Sequence, residues 1–165
     1  MVAPEGEGIR RTAPPIALQQ PLALILFRVY TRIMASCYCV ILRRAARRTT
    51  AIYDEALKPV GINIAQFSLL RRIRRAECIS LTELAKQADL DRSTVGRNTK
   101  LLAKQGLIAT RPGDDQREAR LVLTPEGNAL LAEATPLWQR AQDDIEALLG
   151  GEDGVKALET TLKQL

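Results

Sequence analysis

The sequence has no histidine, few aromatic residues (4%) and only three cysteines among its 165 residues. Without histidine it lacks the commonest general base and metal ligand, which excludes His-dependent triads and ordinary zinc catalysis. Cys37, Cys39 and Cys78 are too few and too badly spaced for a disulfide framework or a zinc knuckle. Reduced thiols in a cytoplasmic protein are the expectation. Scarce aromatics leave the core to Leu, Ile, Val and Ala, which favours packed helices over a sandwich. No uninterrupted apolar run approaches the roughly 20 residues of a membrane-spanning helix. Arg10-Arg11 before the apolar run 16–27 has the outline of a signal peptide, and Met34 to Cys37 faintly that of a lipoprotein cleavage site. However, Gln19, Gln20 and Pro21 split that run, and Arg28 and Arg32 interrupt it. Export and membrane association are therefore not expected.

What is present is an ordinary globular balance, 46% hydrophobic and 26% charged, with a net charge of +5. The length fits one domain, at most with an appended dimerisation region. A basic balance favours a polyanionic partner without naming one. Residues 1–20 read as a disordered tail containing proline and glycine. Residues 22–35 read either as an extra helix or as sequence upstream of a start at Met34.

Further along, Ile41, Ala45, Ile52 and Ala56 recur at helical spacing over 37–57, and Pro59 and Gly61 end that helix. Asn63 with Gln66, and Ser80 with Glu83, form two capping boxes. The first opens a helix over 64–75 buried through Phe67, Leu70 and Ile73. The second opens a short helix with Leu81, Leu84 and Ala85 inward. Asp91 is expected to cap a helix over 92–105 that Gly106 ends, with Val95, Leu102 and the adjacent Leu101 turned to the core. Residues 107–110 and 119–123 read as two strands around a polar tip, 111–118. Thr124 and Pro125 begin a long helix striped by Leu130, Ala134, Leu137, Ala141, Ile145 and Leu148. Pro136 is expected to kink it. Gly150-Gly151 precedes a last amphipathic helix. The fold class is mainly α with a small β-hairpin, a winged helix-turn-helix.

The chemistry concentrates on the helix 92–105. Ser93, Arg97, Lys100 and Lys104 share an outward stripe, and Ser93, Thr94, Arg97 and Asn98 lie in its N-terminal half, the part of a recognition helix that meets base edges. Arg suits guanine, Asn adenine, and Thr a thymine methyl. In the hairpin, Arg111, Arg117 and Arg120 are candidates for phosphate or minor-groove contact, and Asp115 is placed to orient Arg117. Arg43, Arg44, Arg47 and Arg48, and again Arg71, Arg72, Arg74 and Arg75, spread around their helices and read as a background field. No Gly-rich phosphate loop, nucleophile elbow or metal-ligand spacing is present, and Glu126 and Glu133 read as helix-start charges. An enzyme and a bound cofactor are not expected. The alternative to a DNA reader is a winged-helix protein-interaction module without sequence-specific DNA binding.

From about Cys39 onward the chain resembles the MarR family. The resemblance rests on Leu81-Thr82-Glu83-Leu84-Ala85, Asp91-Arg92-Ser93-Thr94-Val95, and Asn98 through Gly106-Leu107-Ile108. It continues in Asp114-Asp115-Gln116-Arg117 and Leu121-Val122-Leu123-Thr124-Pro125-Glu126-Gly127. It implies a homodimer closed by the N- and C-terminal helices, reading a palindromic operator in double-stranded DNA, commonly as a repressor, and released by a small-molecule or oxidant signal. The organisation expected is an extension (1–34), an N-terminal dimerisation helix (35–62), the DNA-binding head (63–123) and C-terminal dimerisation helices (124–165). Cys39 falls where the family's organic-hydroperoxide sensors place a reactive cysteine, and Tyr53 falls on one of its tyrosine partners. Arg43 stands where the second tyrosine belongs, so a buried or incidental cysteine is the preferred reading. Cys37 and Cys39 project to opposite sides if both are helical, and could not then bridge. The family's other mode implies a small aromatic effector between the dimerisation helices and the head, in what the scarce aromatics suggest is an aliphatic pocket.

Overall fold

The computed structural model describes residues 37–113 and 119–164. The expectations for the N-terminal extension, and for Asp115 and Arg117 at the wing tip, lie outside the described residues. The chain divides into two units at Arg43 and Arg44. In the first unit, the described residues 37–43 carry the start of helix α1 (Tyr38–Leu57), and all of them are exposed. Cys37 itself precedes the helix, its carbonyl accepting the Ile41 N–H at 3.1 Å.

The second unit follows α1 through a 3-10 turn (Lys58–Val60), α2 (Ile64–Ala76), β1 (Ile79–Ser80), α3 (Leu81–Ala88) and α4 (Arg92–Lys104). It continues with β2 (Ile108–Pro112), β3 (Ala119–Leu123), α5 (Pro125–Leu148) and α6 (Gly151–Leu162). Both capping boxes form. Asn63 and Gln66 exchange side-chain to backbone bonds of 2.9 and 3.0 Å, and Ser80 and Glu83 exchange bonds of 3.2 and 3.1 Å. They satisfy amide groups that a helix start otherwise leaves unpaired. Asp54 adds a third such contact, accepting the Ile64 N–H at 2.8 Å and tying α1 to the start of α2.

The core gathers one face each of α2, α3, α4 and α5. Phe67, Leu70 and Ile73 of α2 meet Leu84 of α3, Val95 and Leu102 of α4, and Leu131 and Ala134 of α5, all buried. Leu101 is the exception to the expected pattern, 53% exposed on α4. It lies four residues after Arg97 and three before Lys104, so helical geometry puts it on the outward stripe. Leu148, the last member of the α5 stripe, is also exposed. α5 runs unbroken through Pro136.

The sheet is antiparallel, in the order β1-β3-β2. β2 reaches further than expected: Arg111 and Pro112 belong to the strand and not to the tip, because they pair with Arg120 and Ala119. β1 is an addition to the hairpin, Ile79 facing Leu121 and Ser80 facing Arg120.

At the base of the wing the chain is pinned tightly. Gly106, at φ 75°, releases α4 into β2. Thr124 then donates its hydroxyl to the Gly106 carbonyl at 2.6 Å and its N–H to that of Leu107 at 3.2 Å. The same hydroxyl accepts the Gly127 N–H at 3.0 Å, capping α5. The end of α4 and the beginning of α5 are therefore joined by direct bonds.

Candidate nucleic-acid interface

α3 and α4, joined through Asp89 in the left-handed region (φ 51°), make the helix-turn-helix. Val95, Thr99 and Leu102 bury one face of α4, Thr99 closing its hydroxyl onto the Gly96 carbonyl at 3.1 Å. The opposite face carries Ser93, Arg97, Lys100 and Lys104, all exposed as expected. Thr94 and Asn98 lie at its margin, half-buried, with the Asn98 amide donating to the Thr94 carbonyl at 3.1 Å. One Asn98 donor is thus committed within the helix, and the rest of its amide is available to a base edge. Asp91 occupies the cap position, but its side chain makes no capping bond. Only its carbonyl takes part, accepting from Thr94 and Val95. The first turn of α4 is therefore left uncapped, the condition under which a helix start receives an anion.

In the wing, Arg111 and Arg120 are direct cross-strand partners and so share one face of the sheet. Like charges placed opposite each other destabilise a free hairpin and suit a surface that meets phosphates. The two are not equivalent. Arg111 is exposed, whereas Arg120 is half-buried, with a water-excluded Nε that has no hydrogen-bond partner among the described residues.

A second concavity of about 1150 Å³ opens beside α2, lined by residues of α1, α2, α3 and α5. Arg71, Arg72, Arg74 and Arg75 all border it. Read as a diffuse field, these four converge because long side chains on neighbouring turns reach a common rim. Phe67 and Trp138 stack at 5.7 Å within it, and the Arg71 guanidinium lies 4.5 Å from the Trp138 ring centre. Arg72 is braced by the Gln87 carbonyl and by Ser68. This concavity is therefore aromatic and cationic, whereas another, between α1 and α5, is lined mainly by aliphatic side chains such as Ile52 and Leu137.

The residues proposed for redox sensing behave differently from one another. Cys39 is exposed, so it is not a buried cysteine in the single chain, and Cys37 lies outside the helix, which removes the geometric objection raised against pairing the two. The Tyr53 hydroxyl donates to Gln142 of α5, and burial raises its pKa. No group of three or more acidic or cysteine side chains that could hold a metal occurs among the described residues. No described helix is long and apolar enough to cross a membrane.

The profile described as MarR family matches residues 62–119, the head and most of the wing. The multiple antibiotic resistance protein MarR of Salmonella typhimurium is 33% identical over 118 residues, covering 69% of this chain and 80% of that protein. The M. tuberculosis transcriptional regulator MosR, solved with DNA, is 36% identical, covers 78% of this chain and 95% of its own, and superposes with a TM-score of 0.68. A MarR variant from E. coli in complex with operator DNA is 28% identical, covers 82% and 96%, and gives a TM-score of 0.72. With the family's pattern on residues 62–119 and a MarR protein 33% identical over 69% of the sequence, the chain belongs to the MarR family of DNA-binding, winged-helix transcriptional regulators, which are not enzymes.

Proposed function

We propose that this regulator binds a palindromic operator as a homodimer in the cytoplasm, acts as a repressor, and lets go of DNA when a small molecule or an oxidant reaches it. The observation that carries the reading is the exposed stripe Ser93, Arg97, Lys100 on an uncapped helix, beside a sheet that faces arginine with arginine. Base preference is assigned to Ser93, Thr94, Arg97 and Asn98, with Lys100, Arg111, Arg117 and Arg120 on the phosphates and Asp115 orienting Arg117. Dimerisation is assigned to the helices at the two ends, 35–62 and 124–165. The exposed Tyr38, Ile41, Leu42, Leu148 and Leu162 in these segments support it, since such side chains are costly to leave in water.

For the signal, the cavity at Arg71 and Trp138 supports a planar aromatic anion: the stacked rings offer apolar area and the four guanidiniums offer charge. Exposed Cys39 supports an oxidant as the alternative signal. The Tyr53 hydroxyl, engaged by Gln142, supports no direct part for that tyrosine.

Selection of bound fragments from a random DNA pool tests the main reading. A palindrome with half-sites about 34 Å apart is expected. Arg97→Ala should relax preference at one base position in each half-site and weaken binding by roughly 1–3 kcal/mol. No enriched sequence would leave a winged-helix protein-interaction module as the better description, and an enrichment indifferent to Arg97 would overturn the assignment of the reading surface. Adding aromatic acids or peroxide to the bound complex then separates the two signals.

A further inference from the structure

We infer that the arginine face of α1 docks on the acidic end of α5 and the start of α6 of a second copy of this chain, so that two reciprocal charge contacts select the homodimer partner. The inference rests on the dimer reading above and deepens it, naming the side chains by which one copy recognises another.

Charge is segregated between the two ends of the described chain. α1 carries Arg43, Arg44, Arg47 and Arg48 and has no acidic residue before Asp54. The stretch 143–153 carries five acidic residues and no lysine or arginine. With 3.6 residues to a turn, Arg44, Arg47 and Arg48 fall within an arc of about 100°, and all three are exposed. They therefore share one face of α1 and not its whole circumference. Asp143 and Glu146 are three residues apart on α5, and Asp153 stands in the first turn of α6. Glu152 is set apart from them, neutralised by Lys156 at 2.7 Å.

Among the described residues no ion pair uses any of these three arginines or three acids. Asp143 accepts the neutral Gln139 amide at 2.9 Å. Each row works against its own helix. Like charges three or four residues apart repel, and Glu146 lies in the last turn of α5, where the helix dipole disfavours an anion. A row of opposite sign laid across either one offsets that repulsion.

Apolar side chains accompany both rows. Exposed Ile41 and Leu42 precede the arginines, and exposed Leu148 and Leu149 follow Glu146. Charge beside exposed apolar surface is the make-up of a protein contact. A nucleic-acid contact has no use for the leucines and would leave the acidic row uncompensated. A second copy answers both rows at once. About a two-fold axis the basic face of one protomer meets the acidic face of its partner, and the reverse contact follows by symmetry.

Analytical ultracentrifugation of the full chain tests this, over a salt series, with helicity verified by circular dichroism. One variant reverses the basic row (Arg44→Glu, Arg47→Glu, Arg48→Glu), another the acidic row (Asp143→Lys, Glu146→Lys, Asp153→Lys). Each should raise the dimer dissociation constant by roughly a hundredfold, because both contacts then set like charges together. An equimolar mixture of the two variants should associate again as a heterodimer, since both of its contacts are between opposite signs. Misfolded chains would not be rescued by mixing. Added salt should weaken the parent dimer and the heterodimer alike. Parent-like association of either variant overturns the inference and leaves dimerisation and DNA reading standing. So does a mixture that stays dissociated; if one chain carrying all six changes nevertheless dimerises, the rows pair within a chain. An arginine variant that dimerises normally but binds operator more weakly puts those arginines on DNA instead. A parent that is monomeric at every concentration, with and without operator, overturns the dimer reading as well.

Discussion

The seam between the recognition helix and the long C-terminal helix can be probed with one methyl group. A Cβ added at Gly127 would stand 2.0 Å from the Leu107 carbonyl oxygen, 3.0 Å from its carbon and 3.2 Å from Leu123 Cδ2. Restoring an ordinary contact of about 3.4 Å requires α5 to retreat by roughly 1.4 Å from a backbone atom that has no rotamer to escape into. Overpacking of this kind costs about 1–3 kcal/mol. The retreat also stretches the Gly127 N–H bond to Thr124 and the Thr124 N–H bond to Leu107, each worth about 1 kcal/mol. Against this, alanine gains up to about 1 kcal/mol over glycine in a helix. The balance for Gly127→Ala is a loss of roughly 2–4 kcal/mol.

Gly96 supplies the control. Its added Cβ would meet only Leu81 Cδ2, at 3.7 Å, so Gly96→Ala should be neutral or stabilising by up to about 1 kcal/mol. Urea unfolding at fixed protomer concentration measures both, read as a shift in midpoint at constant slope. The reasoning fails if Gly127→Ala is as stable as the parent, or if Gly96→Ala proves the more damaging of the two.

Two further outcomes are expected. The Glu83 carboxyl is held below its ordinary value, near 4.5, first by the Ser80 backbone N–H, then by the Ser80 side chain, with the Arg120 charge adding to both. Its contribution to stability is therefore complete above pH 4.5 and is lost as the pH falls through the lowered value. In acid titrations of thermal stability, Glu83→Gln should flatten this part of the curve, and an unchanged curve would refute the assignment. Arg71→Ala should weaken binding of benzoate-type anions by roughly 1.5–3 kcal/mol in calorimetry; equal affinity in parent and variant would move the anion site away from Arg71.

Local features were the readable part of this chain. The caps at Asn63, Ser80 and Thr124 need only three or four residues of context, and all three form. Asp91 shows the limit of the same rule: residue type marked the position, but not whether its carboxylate turns toward the helix. Leu101 was drawn inward by its hydrophobicity, although its spacing from Arg97 and Lys104 already placed it outside. An extended piece at Cys78-Ile79 was legible, but its pairing with β3 was not, since two residues carry no periodicity and the partner lies some forty residues further along. The cationic pocket was equally hidden. Four arginines on α2 looked scattered around a helix until Phe67 and Trp138 gave them a common centre. For the recognition stripe, sequence and structure agree on orientation, which is the property helical spacing determines.

The stacked pair Phe67 and Trp138 has a practical consequence. Trp138 is the chain's single tryptophan, and it lies where the helix bearing the arginines meets the long C-terminal helix. A guanidinium lies over its face and a phenyl ring beside it, so a change in either alters the surroundings of the indole. The molecule thus carries a built-in optical probe on the wall of the arginine-lined cavity, between α2 and α5. Operator and effector titrations can be followed on the unlabelled protein, and the emission of one indole reports whether the two events share a conformational step.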